Sequence, residues 1–160
     1  MSRTIVTTAG AGIAALGLLA LAPAASATAP AQHCAADIAS KRMVCAASQD
    51  EAVARMAATQ KSAKWVAHVI LYDGTGYSGA SLTLGGDGSC TATTSDVDSQ
   101  AVDLGAWGWS NRASSFVTRN RCDMKGWDGT NFTGAHFAKY QDHDIKLTAW
   151  NNRISSYKVS

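Results

Sequence analysis

The sequence predicts an all-β fold, a sandwich or a barrel, that is built from a duplicated unit and preceded by a short helical extension. Two observations lead to this fold class. From Trp65 onward, short runs rich in β-branched and aromatic residues alternate with Gly, Asn, Asp and Ser, without a helical period. Within the same region, two sequence elements occur twice in the same order, which indicates a duplication.

The first 27 residues are predicted to be a signal peptide. Arg3 supplies a positive charge, residues 13–22 form a short apolar run, and Ala25-Ser26-Ala27 is a small–x–small cleavage site. The run is too short to cross a bilayer, which takes about 20 residues. We therefore expect cleavage after Ala27 and a secreted, monomeric protein without a membrane span; a buried N-terminal helix is the alternative.

Composition excludes a strongly basic nucleic-acid binder, because 14 Lys and Arg face 12 Asp and Glu and only 16% of residues are charged. The charge is nevertheless uneven along the chain. Residues 65–111 contain five Asp and no Lys or Arg, whereas residues 112–160 contain eight basic and four acidic side chains. This distribution favours either attraction between the halves or two faces of different charge.

Four cysteines in an exported chain indicate two disulfides, since the extracellular compartment is oxidising. Three pairings are possible. We favour Cys34–Cys45 and Cys90–Cys122, because each pair then lies within one compositional region. A zinc site is the alternative, but the chain has no C-x-x-C motif and no neighbouring pair of histidines.

Residues 28–67 are predicted to form an extension. Up to residue 64 this segment contains neither aromatic residues nor glycine, so it offers little material for a core. Ser48 and Glu51 match a capping box, and apolar residues follow at helical spacing. We expect a small disulfide loop and then a helix from about residue 49 to 63, which either packs on the main domain or acts as a propeptide-like or docking segment.

The main domain is predicted to span residues 68–160 in two motifs, 68–120 and 121–160. The nine residues from Tyr72 to Ala80 recur as Trp127 to Ala135, with five identities, and the eight from Trp109 recur from Trp150. The first copy carries an insertion within residues 85–105. Strands are expected at residues 65–72, 81–84, 115–118, 135–140 and 155–159.

The first repeated element resembles the folded-hairpin signature of βγ-crystallin Greek-key motifs: an aromatic, four residues, an aromatic, one residue and a glycine. The second resembles the calcium loop of that superfamily, with two Asn or Asp, two free residues and then Ser/Thr-Ser. The resemblance covers about residues 68–160 and implies a two-motif Greek-key β-sandwich. The most similar branches are secreted bacterial domains, including metalloprotease inhibitors and killer-toxin-like proteins.

The resemblance also implies two Ca²⁺ sites made of hard oxygen ligands. The first would comprise Asn111, the Arg112 carbonyl and Ser114, and the second Asn152, the Arg153 carbonyl and Ser155. The hairpin of the opposite motif would close each site, with Asp73 and Asp128 as the only nearby carboxylates. We expect weak to moderate affinity, because Asn stands where relatives often have Asp. The alternative is that these loops only hydrogen-bond their own backbone.

The second loop is the better candidate site, because Ser110 replaces the first Asn or Asp of the pattern in the first loop.

Three function classes follow from these patterns. The first is a calcium-binding module. The second is a secreted peptidase (metalloprotease) inhibitor, with an extracellular protease as partner and residues 86–104 as the contact loop. The third is an antimicrobial or killer-toxin-like protein. An enzyme is not expected, because residues 76–80 miss the G-x-S-x-G pattern at Ala80 and the repeat has Thr133 in the serine position.

Overall fold

The computed structural model describes residues 32–59 and 64–160, so the predicted signal peptide and its cleavage site lie outside the described residues. The described residues form nine strands and one α-helix. The strands are β1 (His33–Asp37), β2 (Met43–Ala46), β3 (Trp65–Tyr72), β4 (Ser81–Asp87), β5 (Ser99–Ala101), β6 (Ser115–Thr118), β7 (Met124–Trp127), β8 (His143–Asp144) and β9 (Ser156–Val159). The helix α1 spans Gln49–Thr59.

The strands form two sheets, and the predicted all-β class is confirmed. One sheet has the order β2-β1-β4-β3-β6-β8 and the other β5-β9-β7. Each motif gives one strand to the sheet of the other: β5 of motif one pairs with β9, and β8 of motif two pairs with β6. This exchange is the crossing connection of a Greek key, and it interlocks the two motifs.

The core lies between the sheets and draws on both motifs. Phe116 of β6 stacks on Phe137 of motif two with ring centroids 5.9 Å apart, and Phe137 meets the edge of Trp150 at 4.9 Å. Leu71 and Leu82, on adjacent strands, are fully buried in the same cluster. Burying each such side chain contributes about 1.5–3 kcal/mol, so the motifs stabilise each other.

The extension contains a β-hairpin where a small disulfide loop was expected. Strands β1 and β2 pair antiparallel, and the Cys34–Cys45 disulfide joins two residues that face each other in that pairing. Strand β1 also pairs in parallel with β4, so the hairpin enlarges the first sheet. Ala35 and Ala36 are fully buried there. Alanine is a weak strand former, which explains why sequence patterns did not indicate this hairpin.

Helix α1 begins where the capping box predicts, and Ser48 Oγ accepts a hydrogen bond from the Glu51 N–H at 3.3 Å. The described part of the helix runs to Thr59, and the rest of the predicted helix, residues 60–63, lies outside the described residues. Ala52 and Met56 are fully buried in one cluster with Trp65. The Tyr72 hydroxyl, at the end of β3, also donates to Gln49 Oε1 at 2.8 Å, so the helix packs on the main domain.

The second disulfide, Cys90–Cys122, has the predicted pairing and ties the loop after β4 to the start of motif two. The expected strand at 135–140 is wrong. Only one isolated bridge occurs there, His136 with Trp127, and a second follows at Gln141 with Met124. Within residues 135–140 only the Phe137 side chain is buried, so no alternating apolar face holds a continuous ladder.

Candidate metal-binding loops

Each motif contains a folded hairpin whose turn is held by its own backbone and hydroxyl groups. In motif one, Gly74 N–H donates to the Ser78 carbonyl at 3.0 Å, and Ser78 Oγ donates to the Thr75 carbonyl at 2.7 Å. In motif two, Gly129 N–H donates to the Thr133 carbonyl at 3.1 Å, and the Thr133 hydroxyl donates to a carbonyl at 2.8 Å. The hydroxyl at this position thus serves the turn in both copies.

The repeated glycines are required by the backbone. Gly79 and Gly134 have φ values of 80° and 78°, in the left-handed region that side chains disfavour. A Cβ on either glycine would also collide with the carboxylate of Asp73 or Asp128. The glycine of the hairpin signature therefore both makes the turn and leaves room for the aspartate.

The second serine of each Ser-Ser pair fastens the hairpin to the loop. Ser115 Oγ donates to the Gly74 carbonyl at 2.6 Å and accepts from Tyr77 N–H at 3.1 Å. Ser156 Oγ makes the same two bonds in motif two, at 2.6 and 3.1 Å. Both serines are fully buried. Their role is structural, which fits the pattern in which only the first serine is a candidate ligand.

The candidate ligand side chains pair crosswise between the motifs rather than within each loop. Asn111 Oδ1 accepts a hydrogen bond from Ser155 Oγ at 3.1 Å, and Ser110 Oγ donates to the same serine oxygen at 2.9 Å. We call this group site I. Asn152 Oδ1 accepts from Ser114 Oγ at 3.4 Å, and we call this pair site II. The grouping predicted from the sequence, with Asn and Ser from one loop, does not match these contacts.

Backbone hydrogen bonds hold the two loops against each other. Asn111 N–H donates to the Ile154 carbonyl and Asn152 N–H to the Ala113 carbonyl, both at 2.9 Å. Both asparagines have φ of 55°, a left-handed conformation that Asn tolerates well. The asparagines are exposed, whereas Ser114 and Ser155 are only 6% and 3% exposed. An ion would approach each site from the asparagine side.

The two aspartates predicted to be near the sites are engaged in ion pairs. Arg112 donates to Asp73 Oδ2 at 2.8 Å, and Arg153 donates to Asp128 Oδ2 at 2.9 Å. Each guanidinium also lies over a tryptophan ring, 4.5 Å from the Trp109 centroid for Arg112. The arginine side chains therefore mask the carboxylates, although their carbonyls remain candidate ligands.

The donor set at both sites consists of neutral oxygens. Amide, hydroxyl and carbonyl oxygens are hard ligands of the kind that Ca²⁺ accepts, but a small anionic count lowers affinity. Within residues 32–59 and 64–160, no group of three or more His, Cys, Asp or Glu side chains is placed to hold a metal ion. The donor atoms of sites I and II are compatible with a weak oxygen-only site.

The crosswise pairing is the feature that the sequence did not reveal. Asn111 and Ser155 are 44 residues apart, and Ser114 and Asn152 are 38 apart, so no local spacing connects them. The strands that the motifs exchange bring the two equivalent loops together, and this exchange is visible only in the structure.

Comparison with known proteins gives a consistent but distant likeness. No family model matches the chain, and no curated protein matches it. A βγ-crystallin from Ciona intestinalis is similar in structure, with 17% identity over 57% of this chain and 98% of that chain and a TM-score of 0.43. A βγ-crystallin domain from Flavobacterium johnsoniae has 20% identity over 57% and 92%, with a TM-score of 0.41.

The N-terminal domain of protein S is similar at the same level, with 18% identity over 59% of this chain and 96% of that domain and a TM-score of 0.45. Likenesses of this strength carry no functional conclusion. No helix within the described ranges has the length and apolar character needed to cross a bilayer.

Proposed function

We propose that the chain is a secreted βγ-crystallin-type module that binds Ca²⁺ through sites I and II. The observation that supports this most is the crosswise pairing, in which an amide oxygen of one motif lies within hydrogen-bond distance of a serine hydroxyl of the other. Two hard oxygens from distant parts of the chain thus converge twice. Convergence of this kind is the first requirement of an oxygen-ligated cation site.

Site I would hold the ion with Asn111, Ser155 and the Arg112 carbonyl, and site II with Asn152, Ser114 and the Arg153 carbonyl. A bound ion would link the two motifs by coordinating oxygens from both. It would do so at the points where Asn–Ser hydrogen bonds link the motifs in this structure. Its effect would be to stabilise the exchanged arrangement of the two sheets, since it would bind only when both loops are in place.

Site II is the stronger of the two in this proposal. At site I, Ser155 is engaged by both Asn111 and Ser110, and those bonds must rearrange before the oxygens can face an ion. Site II has a single and longer contact of 3.4 Å. Asn151 also stands where the first loop has Ser110. We expect affinities toward the micromolar-to-millimolar end, because the neighbouring carboxylates are masked.

A thermal melt of the purified protein with both disulfides formed tests the proposal. The melt is recorded in excess EDTA and then in millimolar Ca²⁺, with Mg²⁺ as the ionic control. A ligand at about 100 times its dissociation constant stabilises by roughly 2.7 kcal/mol, so we expect the midpoint to rise by several degrees. Asn152→Ala should remove most of this rise and Asn111→Ala a smaller part.

Asn120→Ala is the matched control. Asn120 is also exposed and has a left-handed φ of 56°, but it lies outside both sites, with its side chain bonded to the Ala67 carbonyl. Its substitution should lower the midpoint in EDTA without changing the rise caused by Ca²⁺. A midpoint that is the same in EDTA and Ca²⁺ would refute the proposal and leave sites I and II as structural hydrogen bonds.

A second candidate function, inhibition of an extracellular metalloprotease, is supported by the loop between β4 and β5. Its tip from Thr91 to Asp98 is exposed but braced, because Thr91 N–H donates to Asp98 Oδ2 at 2.9 Å and Ser160 Oγ donates to the Thr93 carbonyl at 2.8 Å. A braced loop loses little conformational entropy on binding.

Titration of a metalloprotease with the protein should give near-stoichiometric inhibition without cleavage of the protein. Rapid cleavage of this loop with full protease activity would contradict the inhibitor proposal.

A further inference from the structure

The outer face of the second sheet carries two lysines directly opposite each other. Lys125 of β7 and Lys158 of β9 are register partners, and Gln100 of β5 is the next partner of Lys158 in the same row. Side chains alternate between the faces of a strand, and the adjacent Met124 and Tyr157 are fully buried in the core, so the lysines lie on the outer face. Like charges placed opposite each other in this way destabilise a sheet.

The equivalent position in motif one is apolar. The pair Tyr72 and Ser115 corresponds to Trp127 and Ser156, and two residues away along the strands Ile70 is the register partner of Val117 where motif two has the lysines. Ile70 is only 2% exposed. Helix α1, the one α-helix among the described residues, packs on the first sheet. The lysine pair therefore lies on a face whose counterpart in motif one is apolar.

Both ammonium groups lie against aromatic rings. Lys158 Nζ is 4.4 Å from the centroid of the Phe132 ring and 5.7 Å from that of Trp127, and Lys125 Nζ is also 5.7 Å from the Trp127 centroid. Among the described residues, neither lysine forms an ion pair. A cation–π contact at an exposed site contributes about 0.5–1 kcal/mol, so it offsets part of the repulsion without neutralising either charge.

The carboxylates at the end of this face are occupied elsewhere. Asp98 Oδ2 accepts from Thr91 N–H at 2.9 Å, and Asp123 lines a separate pocket of about 210 Å³ beside the loop between β4 and β5. That loop covers the end of the face, because Ser160 Oγ donates to the Thr93 carbonyl at 2.8 Å. The lysine side chains extend the other way, toward the two rings.

Aromatic and apolar side chains border the lysine pair. The Trp127 and Phe132 rings meet edge to face with centroids 5.5 Å apart, and both are only half-buried. His136 is exposed and bridges to Trp127. Val102 is 42% exposed and lies beside the hairpin, since Asn131 N–H donates to its carbonyl at 2.7 Å. The face thus combines two positive charges with exposed ring surface.

The size of the face favours a narrow ligand. Three strands of three or four residues make a surface of roughly 10 by 14 Å. A stable protein interface covers about 800 Å² on each partner, and lysine is depleted there. Nucleic acids are held by many phosphate contacts, whereas two lysines provide few. An extended sugar chain fits the dimensions, because it can cross the strands one ring at a time.

We propose that this face binds an acidic polysaccharide, a chain of sugars that carry carboxylates. Lys125 and Lys158 would pair with carboxylates through charge-assisted hydrogen bonds. The exposed rings of Trp127 and Phe132 would contact the apolar faces of the sugars, and the Gln100 amide would bond their hydroxyl groups. The bound carboxylates would remove the repulsion between β7 and β9, so binding would stabilise the second sheet.

Two-dimensional ¹⁵N NMR of the oxidised protein tests the proposal. Spectra are recorded in excess EDTA with hexagalacturonate, hexamannuronate, neutral maltohexaose and hexaglutamate, an acidic peptide. We expect at least one uronate to shift amide signals of residues 99–101, 125–127 and 158–159, and maltohexaose and hexaglutamate to leave them unchanged. The shifts should weaken as NaCl is raised, because salt screens exposed charges.

Lys125→Gln and Lys158→Gln should each weaken uronate binding by about threefold to fivefold, as expected for an exposed ion pair, and the double variant by about tenfold or more. The variants should fold, because both lysines are only half-buried and make no hydrogen bond through their side chains among the described residues. Lys139→Gln is the matched control. Lys139 is an exposed lysine of the same motif outside this face, so the variant should bind as the unchanged protein does.

No shift with either uronate would overturn the proposal, and so would unchanged affinity in the double variant. Equal shifts with maltohexaose would show that charge has no part in binding, and equal shifts with hexaglutamate would assign the face to an acidic polypeptide instead. The calcium proposal is independent of these results. Asn152→Ala should bind the uronate normally in EDTA, so failure at one site is distinguishable from failure at the other.

Discussion

Ser115 of motif one and Ser156 of motif two are both fully buried and donate to the glycine carbonyl of their own hairpin at the same distance of 2.6 Å. The next residue differs, because it is Phe116 in motif one and Tyr157 in motif two. Both rings are fully buried, and the Tyr157 hydroxyl has no hydrogen-bond partner among the described residues. The two copies thus share the serine-to-hairpin hydrogen bonds of Ser115 and Ser156, which we call the polar frame. They differ in the core behind it, where only motif two buries a hydroxyl without a hydrogen-bond partner.

The motifs also differ in what their loops add to that frame. Motif one reaches β5 from β4 through residues 88–98, a mostly exposed loop that is anchored by the Cys90–Cys122 disulfide. Motif two reaches β8 from β7 through residues 128–142, which contain its folded hairpin and no cysteine. The comparison indicates that the shared hydrogen bonds hold the hairpin of each copy, while the disulfide-anchored loop is particular to motif one.

The largest effect is expected from removing the shared frame. Ser115→Ala and Ser156→Ala each leave the carbonyl and the N–H of two half-buried residues without their hydrogen-bond partner, so each should lower the free energy of unfolding by about 2–4 kcal/mol. Urea denaturation of the two variants measures this. If the frame is equivalent, the two losses should agree within about 0.5 kcal/mol.

Ser78→Ala is the control for these variants, because its exposed hydroxyl makes one turn hydrogen bond and its loss should cost less than about 1 kcal/mol. A loss of several kcal/mol for Ser115→Ala together with a negligible loss for Ser156→Ala would contradict the equivalence of the two motifs. It would mean that motif one alone determines the stability of the domain.

The frame could be predicted from the sequence because its information is local. The aromatic, glycine and Ser-Ser positions lie within nine-residue and eight-residue elements, and the structure uses them as their spacing implied. What the sequence did not reveal depends on long-range contacts. The crosswise pairing of Asn111 with Ser155 and the parallel pairing of β1 with β4 leave no local pattern.

The incorrect strand at residues 135–140 has a different cause. Only Phe137 and Tyr140 in this segment are strong strand formers, and of its six side chains only that of Phe137 is buried, so neither local preference nor burial supports a continuous strand. The ion pair between Arg112 and Asp73 likewise leaves no local sequence pattern, because the two residues are 39 positions apart.

A smaller effect is expected at Tyr157, where motif two has a buried hydroxyl and motif one has Phe116. Complete burial raises the pKa of Tyr157 far above its ordinary value. The folded state therefore holds this proton more tightly than the unfolded state, so the stability that it contributes is complete below about pH 10 and falls as the pH rises further. Tyr157→Phe should stabilise the protein by about 1 kcal/mol and reduce the alkaline loss.

Thermal melts between pH 7 and pH 11 check this expectation. Some alkaline loss should remain, because burial also raises the pKa of Tyr72. The reciprocal variant Phe116→Tyr places an unpaired hydroxyl in the core of motif one and should lower stability by about 1–3 kcal/mol. A clear destabilisation by Tyr157→Phe would show instead that the Tyr157 hydroxyl is satisfied by a buried water.

The smallest change in stability is expected at the ion pairs. Arg112 is 44% and Arg153 47% exposed, so Arg112→Gln and Arg153→Gln should each change stability in EDTA by less than about 1 kcal/mol. Their effect on the Ca²⁺-induced rise should differ. Ser114 N–H donates to the Tyr72 carbonyl at 2.7 Å, which places site II beside Asp73, the carboxylate that Arg112→Gln releases.

Ser155 N–H donates to the Trp127 carbonyl at 2.8 Å, which places site I beside Asp128 in the same way. If site II is the stronger site, Arg112→Gln should increase the Ca²⁺-induced rise in midpoint more than Arg153→Gln does, because a released carboxylate adds charge where binding already occurs. Calcium titrations followed by thermal melts compare the two directly. Equal increases would make sites I and II equivalent, and a fall in either variant would mean that the arginine orients a loop rather than masking a ligand.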